Sequence, residues 1–266
     1  METNILFPLL LTVFAGLSTG IGSFIAFFAT KTNKKFLSFS LGLSAGVMIY
    51  ISFVELFAQS QSILTLQYGR EMGMSITVLF FFLGILFIGI IDRLVPSAEN
   101  PHEIRSVENK EKVPKTNSKL MRVGLMTAIV IAIHNFPEGI ATFISAMESP
   151  QLGIAIAVAI AIHNIPEGIA VSIPIYQATG NKKKAFWFSF LTGLAEPIGA
   201  IIAYLILMPF LSHTLLACIF ALVAGIMVFI SLDELLPAAR EYGEHHISIY
   251  GLITGMAIMA ISLILL

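Results

Sequence analysis

The chain has 266 residues, of which 57% are hydrophobic and only 12% are charged, and its formal net charge is −1. An ordinary soluble domain has roughly 25% charged residues, so this composition excludes a water-soluble globular protein and indicates an integral membrane protein. The single cysteine, Cys218, excludes a disulfide within the chain and a cluster of thiolates. Apolar runs leave no soluble segment long enough to fold alone, so residues 1–266 are expected to form one membrane domain.

Eight apolar runs are long enough to cross a bilayer, which takes about 20 residues per helix. The continuous runs argue against a β-barrel, whose strands alternate over about ten residues. The first run follows no basic segment and is too long for a signal peptide, so we expect it to be a span. The predicted spans cover residues 5–29, 36–59, 74–95, 120–146, 152–177, 185–208, 213–236 and 247–266.

The basic residues predict how the spans are oriented. All 15 lysines and arginines except Arg70 fall in the connections that follow spans one, three, five and seven, or within three residues of them. The positive-inside rule therefore places those connections in the cytoplasm and both termini outside it. The connection at residues 96–119 is long, mixed in charge and contains three prolines, and we expect it to be a cytoplasmic linker.

One twelve-residue stretch occurs twice, with only two differences between the copies. Residues 131–142 read IAIHNFPEGIAT, and residues 160–171 read IAIHNIPEGIAV. Each copy places a histidine, an asparagine and a glutamate in an apolar span, where polar groups are costly and usually functional. Residues three and four apart share a helix face, and each proline removes a backbone hydrogen bond and is expected to kink its helix.

These residues predict a metal site near the middle of the bilayer. Two imidazoles and two carboxylates form a four-coordinate set of charge −2, which suits zinc, and nearby amides and a further carboxylate would supply a second, oxygen-rich position that suits iron(II) or manganese(II). The alternative is that the histidines and glutamates only form hydrogen bonds between helices. The candidate ligands are His134, Asn135, Glu138, His163, Asn164, Glu167 and Glu196.

Two further pairs of segments resemble each other. Residues 45–56 of span two align with residues 224–235 of span seven, and residues 16–22 of span one align with residues 193–199 of span six. Partners five spans apart run in opposite directions, so we predict a 3+2+3 arrangement: an inverted repeat around spans four and five, with the site at the repeat interface. Chance recurrence of small and apolar residues is the alternative.

The doubled His-Asn-x-Pro-Glu-Gly motif, the eight spans, the outside termini and the cytoplasmic loop after span three resemble the ZIP (Zrt/Irt-like) divalent metal transporters, and among them the bacterial ZupT-like branch. The resemblance covers essentially the whole chain. It implies a multi-pass protein of the cell membrane that moves zinc, and also iron(II), manganese, cobalt or cadmium, toward the cytoplasm. It also implies that the seven candidate residues form the transport site.

The resemblance has two departures that affect metal specificity. Many relatives have a histidine-rich loop after span three, whereas this loop contains only His102, which argues against a metal sensor there. Some relatives replace the second His-Asn by Gln-Asp. This chain keeps His163 and Asn164, which favours the broad-specificity branch.

Carboxylates toward the ends of the spans are candidates for the entry and exit of metal. Glu55 lies toward the outer end of span two, and Asp92, Asp233 and Glu234 lie on the cytoplasmic side. Simple contact with solvent is an equal alternative for these residues.

The expected partners are divalent metal ions and the lipid bilayer, with a homodimer left open and no nucleic acid. The metal is the transported substrate, and no catalytic cofactor is expected. An intramembrane zinc metallohydrolase with a glutamate base is the rival function, but the His-Glu-x-x-His order is absent. A passive metal channel would use the same ligands as a carrier.

Overall fold

The computed structural model describes residues 5–28, 34–94, 116–210, 212–242 and 245–265. These residues form eight helical segments, each of which contains one predicted span as far as the described residues reach. The segments are α1 (Leu6–Phe28), α2 (Lys34–Ile51, continued by Ser52–Phe57 and Ala58–Tyr68), α3 (Arg70–Leu94), α4 (Thr116–Glu148), α5 (Pro150–Thr179), α6 (Lys182–Gly193, continued by Ala195–Ile202, Ala203–Leu207 and Met208–Phe210), α7 (His213–Ile230, continued by Ser231–Leu235 and Leu236–Tyr242) and α8 (His245–Leu265).

Seven of the helices in the described part of the chain are long and apolar enough to cross a membrane. The seven do not include α4, where several side chains near the start lie outside the described residues. The loop predicted at residues 96–119 also lies outside them, except for its last residues, which begin α4. The all-helical membrane class predicted from composition is therefore confirmed.

Capping residues in the sequence mark where α5 begins and ends and where α6 begins. Ser149 caps α5 by accepting a hydrogen bond from the Leu152 amide, and Pro150 follows at the first helical position, where its missing N–H costs nothing. Gly180 then ends α5 with a φ of 63°, a conformation that glycine adopts without a steric penalty. Asn181 caps the next helix by accepting from Lys184, so only two residues separate α5 from α6.

Glycines let four pairs of helices approach closely. A Cβ atom on Gly22 of α1 would overlap the Ile165 carbonyl of α5, and one on Gly139 of α4 would overlap the Glu196 carbonyl of α6. In the same way, Gly46 of α2 meets α8, and Gly84 of α3 meets α7. Small residues at such crossings are the usual means by which membrane helices pack tightly.

The first and sixth helices also meet at a pair of glycines, because a Cβ atom on either Gly16 or Gly193 would overlap the backbone of the other. Gly20 packs against the Phe190 ring, and Gly42 against Ser248 of α8. These glycine faces are therefore used for packing within one chain, and they give no support to a homodimer interface.

Two helices widen into a π-helical turn at matching points of the aligned segments. The turns are Ser52–Phe57 in α2 and Ser231–Leu235 in α7. Each begins at the aligned serine and contains the aligned glutamate, Glu55 or Glu234. A π turn rotates the residues that follow it relative to a regular α-helix and often marks a functional position.

Candidate metal site

The doubled motif lies on two neighbouring helices, α4 and α5, and its polar side chains are buried between them. The helices continue through Pro137 and Pro166. The seven candidate ligands are all at most 1% exposed. A set of buried polar groups of this size is costly unless the groups are paired with each other or with a ligand.

The histidine of each copy contacts the glutamate of the other copy. Nε2 of His163 lies 3.3 Å from Oε2 of Glu138, in hydrogen-bonding geometry. Nε2 of His134 lies 3.3 Å from Oε2 of Glu167, an ion-pair distance without that geometry. The two contacts are reciprocal because the helices are antiparallel and carry the same motif, so the start of one copy faces the end of the other.

The asparagines bind the flanking helices in the same reciprocal way. Nδ2 of Asn164 donates to the Ala15 carbonyl of α1 at 3.0 Å, and Nδ2 of Asn135 donates to the Thr192 carbonyl of α6 at 3.4 Å. Asn164 also donates to Oε1 of Glu196, in a short hydrogen bond of 2.5 Å. These contacts therefore join four helices, α1, α4, α5 and α6.

The polar groups form two levels, one helical turn apart. We call the first the Glu196 level; it consists of Glu138, His163, Asn164 and Glu196. We call the second the Glu234 level; it consists of His134, Asn135, Glu167 and Glu234, whose charge interacts with those of His134 and Glu167. Residues four apart along a helix are separated by about 6 Å, which is the distance along α4 between the two levels.

Each candidate ligand keeps at least one buried polar atom without a hydrogen-bond partner among the described residues. These atoms include the Nδ1 atoms of both histidines, the Oδ1 atoms of both asparagines, Oε1 of Glu138 and of Glu167, and Oε2 of Glu196. Buried polar atoms are almost always satisfied in native structures, and exceptions require an explanation. Free oxygens and imidazole nitrogens gathered in one place are the atoms that a divalent cation binds.

The side chains are not arranged in the geometry of a closed metal centre. Across the described ranges, no group of three histidine, cysteine, aspartate or glutamate side chains converges closely enough to hold a metal. The structure instead brings the predicted ligands together as two His-Glu pairs and one Asn-Glu pair. A cation bound by three or more of them would replace these direct contacts with bonds to the metal.

The four entry and exit candidates occupy different environments. Glu55 is half-buried, and its Oε1 accepts a hydrogen bond from Gln59 at 3.1 Å. Asp92 is half-buried and Asp233 is exposed, and the charge of each interacts with that of Glu234. Glu234 is itself only 3% exposed, which rules out simple solvent contact for this residue.

Two serine hydroxyls that the sequence does not single out donate to the backbone of α5 beside the site. Ser44 of α2 donates to the His163 carbonyl at 3.3 Å, and Ser189 of α6 donates to the Gly168 carbonyl at 3.0 Å. Neither acceptor is the Ile162 carbonyl, which Pro166 leaves without its usual donor. The sequence gives no signal that selects these two serines from the others.

Comparisons with known proteins match this architecture. The family model described as ZIP Zinc transporter matches residues 93–263. A protein called Zinc transporter ZupT from Streptococcus mutans is 62% identical over 265 residues, covering 100% of this chain and 99% of that protein. Proteins with the same name from Oceanobacillus iheyensis and Clostridium perfringens are 63% and 58% identical and cover 99% and 98% of this chain, and 99% and 96% of their own lengths. On its sequence, this chain belongs to the ZIP family of zinc transporters.

Proposed function

We propose that this protein is a carrier that moves zinc across the cell membrane into the cytoplasm, through the two-level site between α4 and α5. The observation that carries the proposal is the pair of reciprocal contacts, His134 with Glu167 and His163 with Glu138, buried inside a bundle of apolar helices. A permanent structural ion pair would need no free ligand atoms beside it. Here each residue of the two pairs has a buried atom with no partner in the described structure.

The donor set suits more than one metal. Imidazole nitrogens and carboxylate oxygens suit zinc, whereas the additional amide and carboxylate oxygens suit iron(II), manganese(II) and cobalt(II). Cadmium, the larger congener of zinc, completes the proposed range of substrates. We propose that two cations are held at once, one at each level, with Glu138 and Glu167 bridging between them.

An inverted repeat of the 3+2+3 type accounts for the two levels. The same interval of 177 residues relates Gly16 to Gly193, and Gly22 to Gly199. Gly16 and Gly193 meet each other, while Gly22 faces α5 and Gly199 faces α4. Such a symmetry axis in the membrane plane would exchange α4 with α5 and the Glu196 level with the Glu234 level.

The direction of flux follows from the proposed orientation. With the termini outside and α4 starting in the cytoplasm, the Glu196 level lies outward of the Glu234 level. Glu55 would then attract cations on the outer side, and Glu234, Asp233 and Asp92 would receive them on the cytoplasmic side. The buried position of Glu234, whose charge interacts with that of His134, supports the exit role.

Zinc uptake into proteoliposomes tests the proposal. His134→Ala and Glu167→Ala should each lower the initial rate by about 100-fold, because loss of a group that holds a metal costs at least the 10- to 100-fold seen for groups that only orient the ligands. His213→Ala and Glu71→Ala are matched controls, since both side chains are exposed at the ends of their helices, and they should retain the wild-type rate. Normal uptake by both site variants would rule out this site as the route.

A second experiment separates a carrier from a passive channel. Vesicles preloaded with unlabelled zinc should take up radioactive zinc faster than empty vesicles, because a carrier returns more quickly when it is loaded. Equal rates would favour the channel.

A further inference from the structure

The oxygen ligands of the Glu196 level and the Glu234 level differ in one residue of the flanking helices. The interval of 177 residues that relates α1 to α6 also relates Ala15 to Thr192 and Thr19 to Glu196. Asn164 binds the Ala15 carbonyl, and Asn135 binds the Thr192 carbonyl. On the side of Asn164, α6 supplies the Glu196 carboxylate. At the corresponding position on the side of Asn135, α1 therefore supplies the Thr19 hydroxyl, which is shorter.

The Thr19 hydroxyl has no hydrogen-bond partner among the described residues, although the side chain is fully buried. Buried hydroxyls in helices usually donate to the carbonyl three or four residues earlier. Thr12 and Ser23 on the same helix do so, to Leu9 at 2.8 Å and to Thr19 at 3.2 Å. Thr19 is the exception, so its hydroxyl is free to bind something else.

The surroundings of Thr19 place its oxygen in the polar centre of the bundle and away from the lipid. Its carbonyl lies against Gly168 of α5, one residue beyond Glu167. Its Oγ1 faces α6 at Gly193, where a Cβ atom would lie only 3.0 Å from it. Asn135, whose Nδ2 donates to the carbonyl of Thr192 next to Gly193, keeps its Oδ1 atom unpartnered as well. Neither of these two buried oxygens has a hydrogen-bond donor, which indicates a ligand that accepts electron pairs from both.

We propose that Thr19 is a further ligand of the transported cation, and that its hydroxyl oxygen, together with Oδ1 of Asn135, determines how well the protein moves oxygen-preferring cations relative to zinc. This inference rests on the proposed function. Zinc is satisfied by four nitrogen and oxygen ligands, which the histidines and glutamates provide. Manganese(II) prefers oxygen ligands, so the loss of one neutral oxygen should affect it more.

A hydroxyl at Thr19, where the related position of α6 has the Glu196 carboxylate, also suits transport. A cation must bind well enough to enter and weakly enough to leave. The neutral Thr19 oxygen completes the coordination of the cation without adding the negative charge that Glu196 adds on the outer side. On the α1–α6 side the cation is therefore held less tightly at Thr19 than at Glu196, which leaves it freer to move toward the Glu234 carboxylate that α7 supplies.

The test is the ratio of manganese to zinc uptake in the same proteoliposomes. Thr19→Val keeps the shape and removes the hydroxyl, and it should lower the ratio by about fivefold, as expected for one neutral polar contact. Thr19→Ser keeps the hydroxyl and should retain the wild-type ratio. Thr12→Val is the matched control, because Thr12 is equally buried on the same helix but its hydroxyl is satisfied by its own backbone.

If Thr19 serves only to pack the helices, Thr19→Ser should have a larger effect than Thr19→Val. Packing would tolerate Thr19→Val and would be weakened by Thr19→Ser, so an unchanged ratio in Thr19→Val, or an equal fall in both variants, overturns the inference. If Thr19→Val does not fold, Thr19→Cys decides instead. A thiol ligand should raise cadmium uptake relative to manganese uptake, and an unchanged ratio again overturns the inference. Absence of zinc uptake by the wild-type protein would instead overturn the proposed function.

Discussion

The residues that matter most in this protein are ionisable groups placed where water is absent. His163 and Glu138 stabilise each other across the helix interface, so each one determines the cost of burying the other. A cation that arrives between them can take over both roles, because it neutralises the carboxylate and binds the imidazole. In the proposed carrier, the pairs hold the site together in the absence of metal and would become its ligands when metal binds.

Removing the charge of one carboxylate should abolish transport without removing the side chain. Glu138→Gln keeps the size of the residue but replaces an anionic ligand by a neutral one, and we expect zinc uptake to fall by about 100-fold. Glu148→Gln, at the exposed end of the same helix, should retain the wild-type rate. Retention of wild-type uptake by Glu138→Gln would show that this carboxylate is not a ligand.

At the scale of the helices, glycine contacts determine how close α1 comes to α5 and α6 comes to α4. Gly168 of α5 and Gly139 of α4 each receive a backbone carbonyl of a flanking helix, from Thr19 and Glu196. No side chain fits between those backbones. The positions of the flanking ligands relative to α4 and α5 therefore depend on two residues that have no side chain.

Gly168→Ala should therefore destabilise the protein by about 1–3 kcal/mol through overpacking. Thermal unfolding in detergent measures this effect. Gly89→Ala is the control, because the atom nearest to its new Cβ would belong to the Phe229 ring, at 3.3 Å, and not to a backbone. Equal melting temperatures for Gly168→Ala and the wild type would contradict the close approach of α1 and α5.

The π turn of α7 gives a second prediction at this scale. It places Glu234 in the interior and the adjacent Asp233 at the surface. Glu234→Gln should slow zinc uptake about tenfold, the lower end of the range for groups near a metal, whereas Asp233→Asn should change it little. Unchanged uptake kinetics in Glu234→Gln would remove Glu234 from the exit route.

The sequence predicts the helices better than it predicts their irregularities. Apolar run length locates all eight helices, and the doubled motif contains the residues that meet between α4 and α5. The end of α2 at Tyr68, well beyond the predicted residue 59, was missed, because Gln59, Ser60 and Gln61 lower the hydropathy there although the helix continues. The π turns were missed because no side-chain pattern specifies them, so the burial of Glu234 could not be predicted either.

Considered as a whole, the molecule has a nearly symmetric scaffold and an asymmetric site. The closely packed pairs are α1 with α5, α4 with α6, α2 with α8 and α3 with α7. An inverted repeat would exchange the first pair with the second and the third pair with the fourth. The sequence departs from this relation where Thr19 of α1 corresponds to Glu196 of α6, so these two helices bring different side chains to the proposed site.

The predicted orientation can be tested with single cysteines in intact cells. Starting from Cys218→Ser, a membrane-impermeant maleimide should label Arg70→Cys, in the outer turn between α2 and α3, and should not label Lys183→Cys, between α5 and α6. Both positions are exposed. Labelling of Lys183→Cys but not of Arg70→Cys would invert the topology and the assignment of entry and exit residues.

The coordination of bound zinc tests the central claim most directly. X-ray absorption spectra of the purified, zinc-loaded protein should show only nitrogen and oxygen ligands at about 2.0–2.2 Å, with the scattering pattern of imidazole. The imidazole signal should disappear in a variant that combines His134→Ala with His163→Ala. A sulfur ligand at about 2.3 Å, or an imidazole signal that persists in the double variant, would contradict the assignment of the transport site to the doubled motif.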